Sequence, residues 1–262
     1  MKVKKAYLLV FSVILCMLLV SSILFMGNAF EKNTYWLNSI SADSYDFPIS
    51  PDVNKDKWIK MESTAEMNAV LQIPEETLKS MSTEGLIATC MKYPKFGDIF
   101  LFNSPVKGLE KITNDFNGLR ELQSRDDAGD ALVQFYSKLD LDKLLATDKY
   151  PSLRLQFLEY IIAQPSILSK VSDRKALLKH AYKMAELKQN KYSGKFGITS
   201  TLFIMAHVLD MDYPEISEKI KNHDIVSHFL ETGNIKESHK GEWDEIWNTI
   251  EEKIQSIIED IE

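Results

Sequence analysis

The chain has 262 residues, 45% of them hydrophobic, which is enough for one medium-sized domain with an apolar core. Ten glycines and eight prolines argue against low-complexity and glycine-rich architectures, and two cysteines exclude a disulfide-rich scaffold. The net charge of −7 argues against a nucleic-acid-binding protein, because such a protein needs a basic surface to displace counterions.

The strongest signal is an apolar N-terminal segment. Residues 6–26 carry no charge and follow a short stretch with three lysines, at positions 2, 4 and 5. A helix of this length spans roughly 30 Å, the thickness of the hydrocarbon core of a bilayer. The first acidic residue is Glu31, so the basic excess lies before the segment. This asymmetry predicts a cytoplasmic N-terminus and an extracytoplasmic location for the rest of the chain.

Residues 1–29 fit two alternatives, a cleaved signal peptide and a retained membrane anchor. Gly27 and Ala29 are small residues at the positions that signal peptidase requires for cleavage after Ala29. The apolar run, however, is longer than that of an ordinary signal peptide and fits a single membrane-spanning helix. Both alternatives stay open. Lipidation at Cys16 is disfavoured, because Leu15 precedes it and apolar sequence continues beyond it.

The exported part is predicted to consist of a tether and one domain. Residues 30–57 are rich in Ser, Asn, Asp and Pro without a helical or strand period, which predicts an irregular tether. Residues 58–262 are helical in pattern almost throughout and are predicted to form one all-α extracytoplasmic domain. Removing the three lysines of the leader leaves 28 basic against 38 acidic residues, a net charge of −10.

Helix boundaries are indicated by capping residues and by prolines. The sequence Ser-Thr-Ala-Glu at 63–66 is a capping box, and Asn117-Gly118 is predicted to close a helix with a left-handed turn. Further helix starts are predicted at Pro74, Ser82, Ser104, Asp126 or Asp127, Pro151, Asp173 and Pro214.

Apolar periodicity predicts the character of the longer helices. The stretch at 199–209 is apolar on nearly every face and is predicted to be the most buried helix. The last helix is amphipathic and is predicted to dock on the domain or on a partner. Its apolar positions are Trp243, Trp247, Ile250, Ile254, Ile257 and Ile261. Residues 97–103 are the one candidate strand, but they lack alternation and a pairing strand. The predicted fold class is therefore all-α, an array of short antiparallel helices in a helical-hairpin or superhelical arrangement.

No motif predicts catalysis, cofactor binding or metal binding. The closest histidines, His223 and His228, are five positions apart and point in different directions on a helix. Aspartate pairs lack the remaining ligands of a calcium loop, and Ser-x-x-Lys pairs lack the companion motifs of serine enzymes. These short matches are Asp140 with Asp142, Asp210 with Asp212, Ser104 with Lys107, and Ser172 with Lys175. No catalytic residue, cofactor or metal ligand is therefore predicted.

Cysteine and aromatic residues favour core packing. Cys90 lies in an apolar stretch and is predicted to be buried and inert. The aromatic residues near it and the two tryptophans of the last helix could anchor a partner, but packing in the core is the favoured interpretation. The aromatic cluster comprises Tyr93, Phe96, Phe100 and Phe102.

The segment 82–136 carries a family resemblance. Its signatures are Tyr93-Pro94, Asp98-Ile99-Phe100 and Phe116-Asn117-Gly118-Leu119. With these it resembles a segment of uncharacterised exported bacterial helical proteins. The resemblance covers about a fifth of the chain and implies an exported bacterial helical protein without an assigned activity or site.

The function expected from these observations is binding without catalysis. We expect an exported or membrane-tethered helical protein that binds a protein or peptide partner of the cell envelope. It contacts the membrane through residues 6–26 if the leader is retained, and it binds no nucleic acid. The alternative is a cell-envelope hydrolase, which requires two close carboxylates, at least one with a raised pKa. A purely structural or assembly role is a third hypothesis.

Overall fold

A computed structural model describes residues 43–214, 217–218, 224–235 and 240–259. Helices form the regular structure of these ranges, which contain no strand, so the predicted all-α class is confirmed. Among the described helices, none has the length and apolar character needed to cross a membrane. The predicted leader, residues 1–29, and the tether residues 30–42 lie outside the described part.

The described chain comprises a larger unit and a short separate segment. The first part of the larger unit contains α1 (Lys55–Trp58), α2 (Thr64–Val70), α3 (Glu75–Ser80), α4 (Thr83–Met91), a 3₁₀ helix (Phe96–Leu101), α5 (Pro105–Asp115), α6 (Asn117–Ser124) and α7 (Ala128–Ser137). The separate segment, residues 140–149, contains α8 (Leu141–Thr147). The second part of the larger unit contains α9 (Pro151–Ile162), α10 (Pro165–Leu168), α11 (Arg174–Asn190), α12 (Thr199–Asp212), α13 (Asp224–Thr232) and α14 (Lys240–Glu259).

Side-chain caps begin several helices where the sequence predicted them. The hydroxyls of Ser82 and Ser104 and the carboxylate of Asp173 each accept the backbone N–H three residues later. At the capping box, Ser63 accepts from the N–H of Glu66, but the Glu66 carboxylate accepts from the N–H of Glu62 instead of that of Ser63. The predicted starts of α2, α4, α5 and α11 are therefore confirmed.

Asp127 precedes α7, yet its carboxylate does not cap that helix. The carboxylate instead accepts a hydrogen bond from the Thr83 hydroxyl at 2.8 Å and so connects the beginnings of α4 and α7. The helix predicted to start at Pro74 begins one residue later, at Glu75. Most of the short helix predicted from Pro214 onward lies outside the described residues.

The predicted left-handed turn at Asn117-Gly118 is wrong. Helix α6 begins at Asn117, and Gly118 lacks a positive φ. The Asn117 side chain accepts from the backbone N–H of Ile73 at 2.9 Å and donates to the carbonyl of Ile73 at 2.8 Å. A Cβ on Gly118 would lie 2.3 Å from the Phe116 ring, so glycine serves close packing here.

The candidate strand over 97–103 is not formed: residues 97–101 belong to the 3₁₀ helix, which packs against α5 and α9, and residues 102 and 103 follow it as bends. Gly108 on α5 permits this contact, because a Cβ there would lie 2.2 Å from the carbonyl oxygen of Ile99. Because no strand of the described chain pairs with them, the residues of the 3₁₀ helix form their backbone hydrogen bonds with near neighbours in sequence. The helix buries Phe96 and Ile99.

Helix α9 lies at the centre of the larger unit and packs against α5, α7, α10, α12 and the 3₁₀ helix. Helix α12 is buried at nine of its fourteen positions, as its apolar pattern indicated. It is not the most buried helix, however, because α4 is buried at eight of nine. Helix α14 packs on α11 and buries Ile250, Ile254 and Ile257. The Trp243 side chain and Ile261 lie outside the described residues.

Candidate functional site

A buried polar cluster joins four helices through the Glu159 carboxylate. Lys188 Nζ lies 2.7 and 2.9 Å from its two oxygens, and the Tyr136 hydroxyl donates to it at 2.7 Å. The hydroxyls of Ser200 and Thr201 also donate to it, the latter at 2.9 Å. Glu159 is 0% exposed and Lys188 1%. The cluster therefore connects α7, α9, α11 and α12 out of reach of solvent.

The electrostatics of the cluster fit a structural role. Burial lowers the pKa of Lys188, and the adjacent Glu159 carboxylate opposes that change by attraction. Burial and the Glu159 charge together raise the pKa of Tyr136 well above its usual value. Because each charged group has its partners and none reaches the surface, the cluster offers no place for a substrate.

An open cavity of about 550 Å³ lies between α5, α9 and α12, within the size range of ligand-binding pockets. Its apolar lining comprises Val106, Leu109, Tyr160, Ala163, Pro165, Phe203 and Leu230. The Tyr160 hydroxyl donates to the carbonyl of Gly233 at 3.2 Å, so the ring forms a fixed wall. The rest of the lining is polar and comprises Glu110, Thr113, Asn114, Gln123, Gln164, Ser166 and His207.

The polar lining contains a donor without a partner. Gln123 Nε2 donates to Gln164 Oε1, which fixes the Gln164 amide. Gln164 Nε2 is buried and makes no hydrogen bond. Gln164 directly precedes α10 and has extended backbone (φ −65°, ψ 135°), the conformation that a following proline such as Pro165 imposes. The wall of the cavity thus contains a buried amide donor that lacks a hydrogen-bond partner.

The charges at the cavity are few. Among the described lining residues, Glu110 is the one carboxylate, and none is a lysine or an arginine. Burial lowers the pKa of His207, although Asp210 and a hydrogen bond to the Leu230 backbone act in the opposite direction. The His207 ring meets Phe203 edge-on at 4.4 Å. At neutral pH the lining is therefore uncharged except for Glu110.

The histidines considered as metal ligands are dispersed where they are described. His180 meets Tyr136 edge-on at 5.0 Å, and His207 lines the cavity. His223 and His239 lie outside the described residues. In the ranges that the structure describes, no three His, Cys, Asp or Glu side chains are grouped to hold a metal. Asp212, considered for calcium, pairs instead with Arg174 at 2.7 Å.

The cysteine and the aromatic cluster are largely in the core. Cys90 is fully buried, as predicted, and burial raises the pKa of its thiol. Tyr93 stacks on Phe116 at 4.3 Å, and Phe96 is buried. Phe102, by contrast, is 43% exposed, so the cluster predicted from sequence is divided between core and surface.

Comparison of the chain with protein-family models, with curated proteins and with solved structures finds no match. The resemblance of residues 82–136 to exported bacterial proteins therefore stays a prediction. The cavity is the feature of the described chain that could hold a ligand, and the sequence did not predict it. Its lining comes from six helices and the residues next to them. One partial signal was available in the sequence, the polar residue Gln164 before the proline that follows α9.

Proposed function

We propose that the chain is an exported or membrane-tethered helical protein that binds a protein or peptide partner of the cell envelope. The cavity between α5, α9 and α12 is its proposed binding site. The single observation that supports this function is the composition of the cavity, an apolar wall beside side-chain amides. No catalytic step is part of the proposal.

This composition suits a peptide segment better than a small polar metabolite. An amide side chain presents a donor and an acceptor, which match the N–H and carbonyl groups of a peptide backbone. Asn114, Gln123 and Gln164 supply three amides beside the apolar wall, of which Gln123 Nε2 and Gln164 Oε1 are bonded to each other. An apolar side chain of the partner would fill the space against Tyr160 and Phe203 while its backbone meets the amides.

The proposed location rests on the apolar segment at residues 6–26 and on the lysines before it. We propose that residues 1–29 act as a signal peptide or as a membrane anchor. The proposed arrangement of the domain is an array of helical hairpins. The direct packing of α5 on α6 and of α11 on α12 supports this arrangement, because each pair is consecutive in the chain.

The alternative, a hydrolase with a carboxylate pair, has less support. A pair of acids at the cavity would favour it, whereas the described lining provides Glu110 alone. Glu159 on α9 is fully buried and bound to Lys188.

The proposed site can be tested by photocrosslinking in producing cells. A benzophenone amino acid is placed at Ser166, on the exposed rim of the cavity, and in a control chain at Lys183, exposed on α11 and outside the lining. We expect a discrete crosslinked partner from Ser166 alone, and we expect Val106→Trp, at a partly exposed lining position, to abolish it by filling the cavity. Identical products from both positions, or products indifferent to Val106→Trp in a folded chain, would refute the proposed site. Protease added to intact cells tests the location, because an exported domain would be degraded.

A further inference from the structure

A short segment near the beginning of the described chain carries apolar side chains that are not packed in the core. We infer that residues 53–60, the interfacial segment, lie in the headgroup region of the membrane that residues 6–26 are proposed to span. Three apolar side chains then enter the boundary between headgroups and acyl chains, and three lysines extend towards the lipid phosphates. The apolar residues are Val53, Trp58 and Ile59, and the lysines are Lys55, Lys57 and Lys60. The inference rests on the membrane-tethered form of the proposed function and does not involve the cavity.

The apolar side chains of the interfacial segment do not contribute to the core. No residue is buried between Ser50 and Leu71, so helices α1 and α2 bury no side chain. Ile59 is 64% exposed and Val53 is 50% exposed. A single exposed apolar residue is ordinary in a folded protein, but here both lie close in sequence to the half-buried Trp58. A group of this kind is typical of a surface that contacts a partner or a membrane.

The exposed side chains project from an ordered helical turn. The backbone N–H of Trp58 donates to the carbonyl of Asn54 at 3.1 Å, and that of Ile59 donates to the carbonyl of Lys55 at 2.9 Å. Asn54 precedes the turn with a φ of 56°, a left-handed conformation that asparagine tolerates better than most residues. Because the backbone is already fixed, little conformational entropy is lost when these side chains enter a second phase.

The composition of the segment fits the membrane–water interface. Tryptophan is enriched there because its ring is apolar and its N–H is polar, and a lysine can bury its stem while its ammonium group reaches the headgroups. Within the described chain the three lysines of the segment form no ion pair, so their ammonium groups can reach lipid phosphates.

The charge of the segment permits contact with lipid although the exported part is acidic. Over residues 52–62 the three lysines are balanced by three acids, Asp52, Asp56 and Glu62, whereas the exported part as a whole has 28 basic and 38 acidic residues. Charges farther from the lipid than the Debye length, about 8–10 Å, are largely screened at physiological salt. The electrically balanced segment can therefore approach the membrane without the repulsion that a strongly acidic surface would meet.

The length of chain before the described residues selects lipid as the partner. Residues 27–42 connect the proposed membrane span to Asp43, and sixteen residues reach at most roughly 55 Å. A domain on so short a connection meets the bilayer at an effective concentration in the millimolar range, so a weak contact is sufficient. A separate soluble protein lacks this advantage and would need a much larger interface than one helical turn.

The test measures the environment of the segment in the full chain, inserted in lipid nanodiscs with its N-terminal segment retained. A nitrobenzoxadiazole probe is attached through Lys60→Cys in a Cys16→Ser chain, in which Cys90 is buried. The control carries the probe through Lys183→Cys, exposed on α11. We expect headgroup-proximal doxyl lipid to quench the probe at position 60 and the bilayer to shift its emission to shorter wavelength. We expect neither effect at position 183.

Variants connect the quenching to named side chains. Trp58→Ser and Ile59→Ser each remove one apolar group and are expected to weaken docking about tenfold, with a corresponding loss of quenching at position 60. Leu101→Ser is the matched control, because Leu101 is 79% exposed on the 3₁₀ helix outside the segment. It should leave the quenching unchanged. Circular dichroism verifies that every variant is folded.

The inference is overturned if the probe at position 60 is quenched no more than that at position 183, or if both serine variants of the segment retain full quenching. A full chain that does not insert into nanodiscs overturns it together with the proposed anchor. Failure of the proposed binding site is distinguishable, because loss of the cavity-dependent crosslink from Ser166 would leave the probe at position 60 quenched. Conversely, an unquenched probe with the crosslink retained refutes the interfacial segment alone.

Discussion

Replacing Lys188 with methionine removes the counter-ion of a carboxylate that is 0% exposed. Glu159 would retain hydrogen bonds from Tyr136, Ser200 and Thr201 but lose both contacts with the ammonium group. Removing one partner of a buried ion pair costs about 3–5 kcal/mol, because the remaining charge stays desolvated. Since a domain is stabilised by roughly 5–15 kcal/mol, this single change removes a large part of the free energy of unfolding.

The pH dependence of this loss has a defined sign. In Lys188→Met, the buried carboxyl relieves its charge by binding a proton, so the folded protein holds more protons than the unfolded chain in weakly acidic solution. The destabilisation therefore decreases as the pH falls, by at most about 1.4 kcal/mol per pH unit. In Glu159→Gln, Lys188 is isolated, and burial already lowers its pKa. It relieves its charge by losing a proton, so that destabilisation decreases as the pH rises.

The assay is urea unfolding of the full chain in nonionic detergent, followed by tryptophan fluorescence at several pH values. The double variant Glu159→Gln/Lys188→Met contains no buried charge, so it should be destabilised by less than the two single changes together, by about 1–3 kcal/mol. Lys183→Met, exposed on the same helix, is the control and should remain within about 0.5 kcal/mol of wild type. Additive losses, or slopes of the same sign in both single variants, would refute the reasoning.

Three further predictions concern packing, protonation and reactivity. Gly108→Ala should lower the free energy of unfolding by about 1–3 kcal/mol, since its Cβ would meet backbone atoms of the 3₁₀ helix, whereas Gly97→Ala has open space and should change it little; thermal unfolding compares them. Because burial lowers the pKa of His207, the stability present above about pH 6.5 should be lost as the pH falls towards that lowered pKa. Replacement by glutamine should flatten this profile in urea titrations, and an unchanged profile would contradict the assignment. In a Cys16→Ser chain, the buried Cys90 thiol should react with a maleimide only after denaturation, as mass spectrometry would measure, and rapid labelling of the folded chain would disprove its burial.

The features that the sequence predicted are those decided by near neighbours. Ser82, Ser104 and Asp173 cap helices because each side chain meets an N–H three residues later, which requires no tertiary contact. The all-α class and the burial of α12 likewise follow from apolar spacing within one helix.

The features that the sequence did not predict depend on distant residues. Asn117-Gly118 has the composition of a left-handed turn, but contacts with Phe116 and Ile73 make it the beginning of a helix. Glu159 and Lys188 are 29 positions apart, and the one available sign was an acid within the apolar run of α9. The cavity was harder still to predict, because its lining extends from Val106 to Leu230.

The backbone conformation between α9 and α10 determines how the cavity lining would change in related chains. Pro165 restricts the backbone of Gln164, so the direction of one amide in the cavity lining depends on the ring of the following residue. A descendant chain that exchanged this proline for another residue would retain every amide of the cavity and yet redirect one of them. The geometry of the cavity lining would then differ between lineages while each hydrogen-bonding side chain stayed the same.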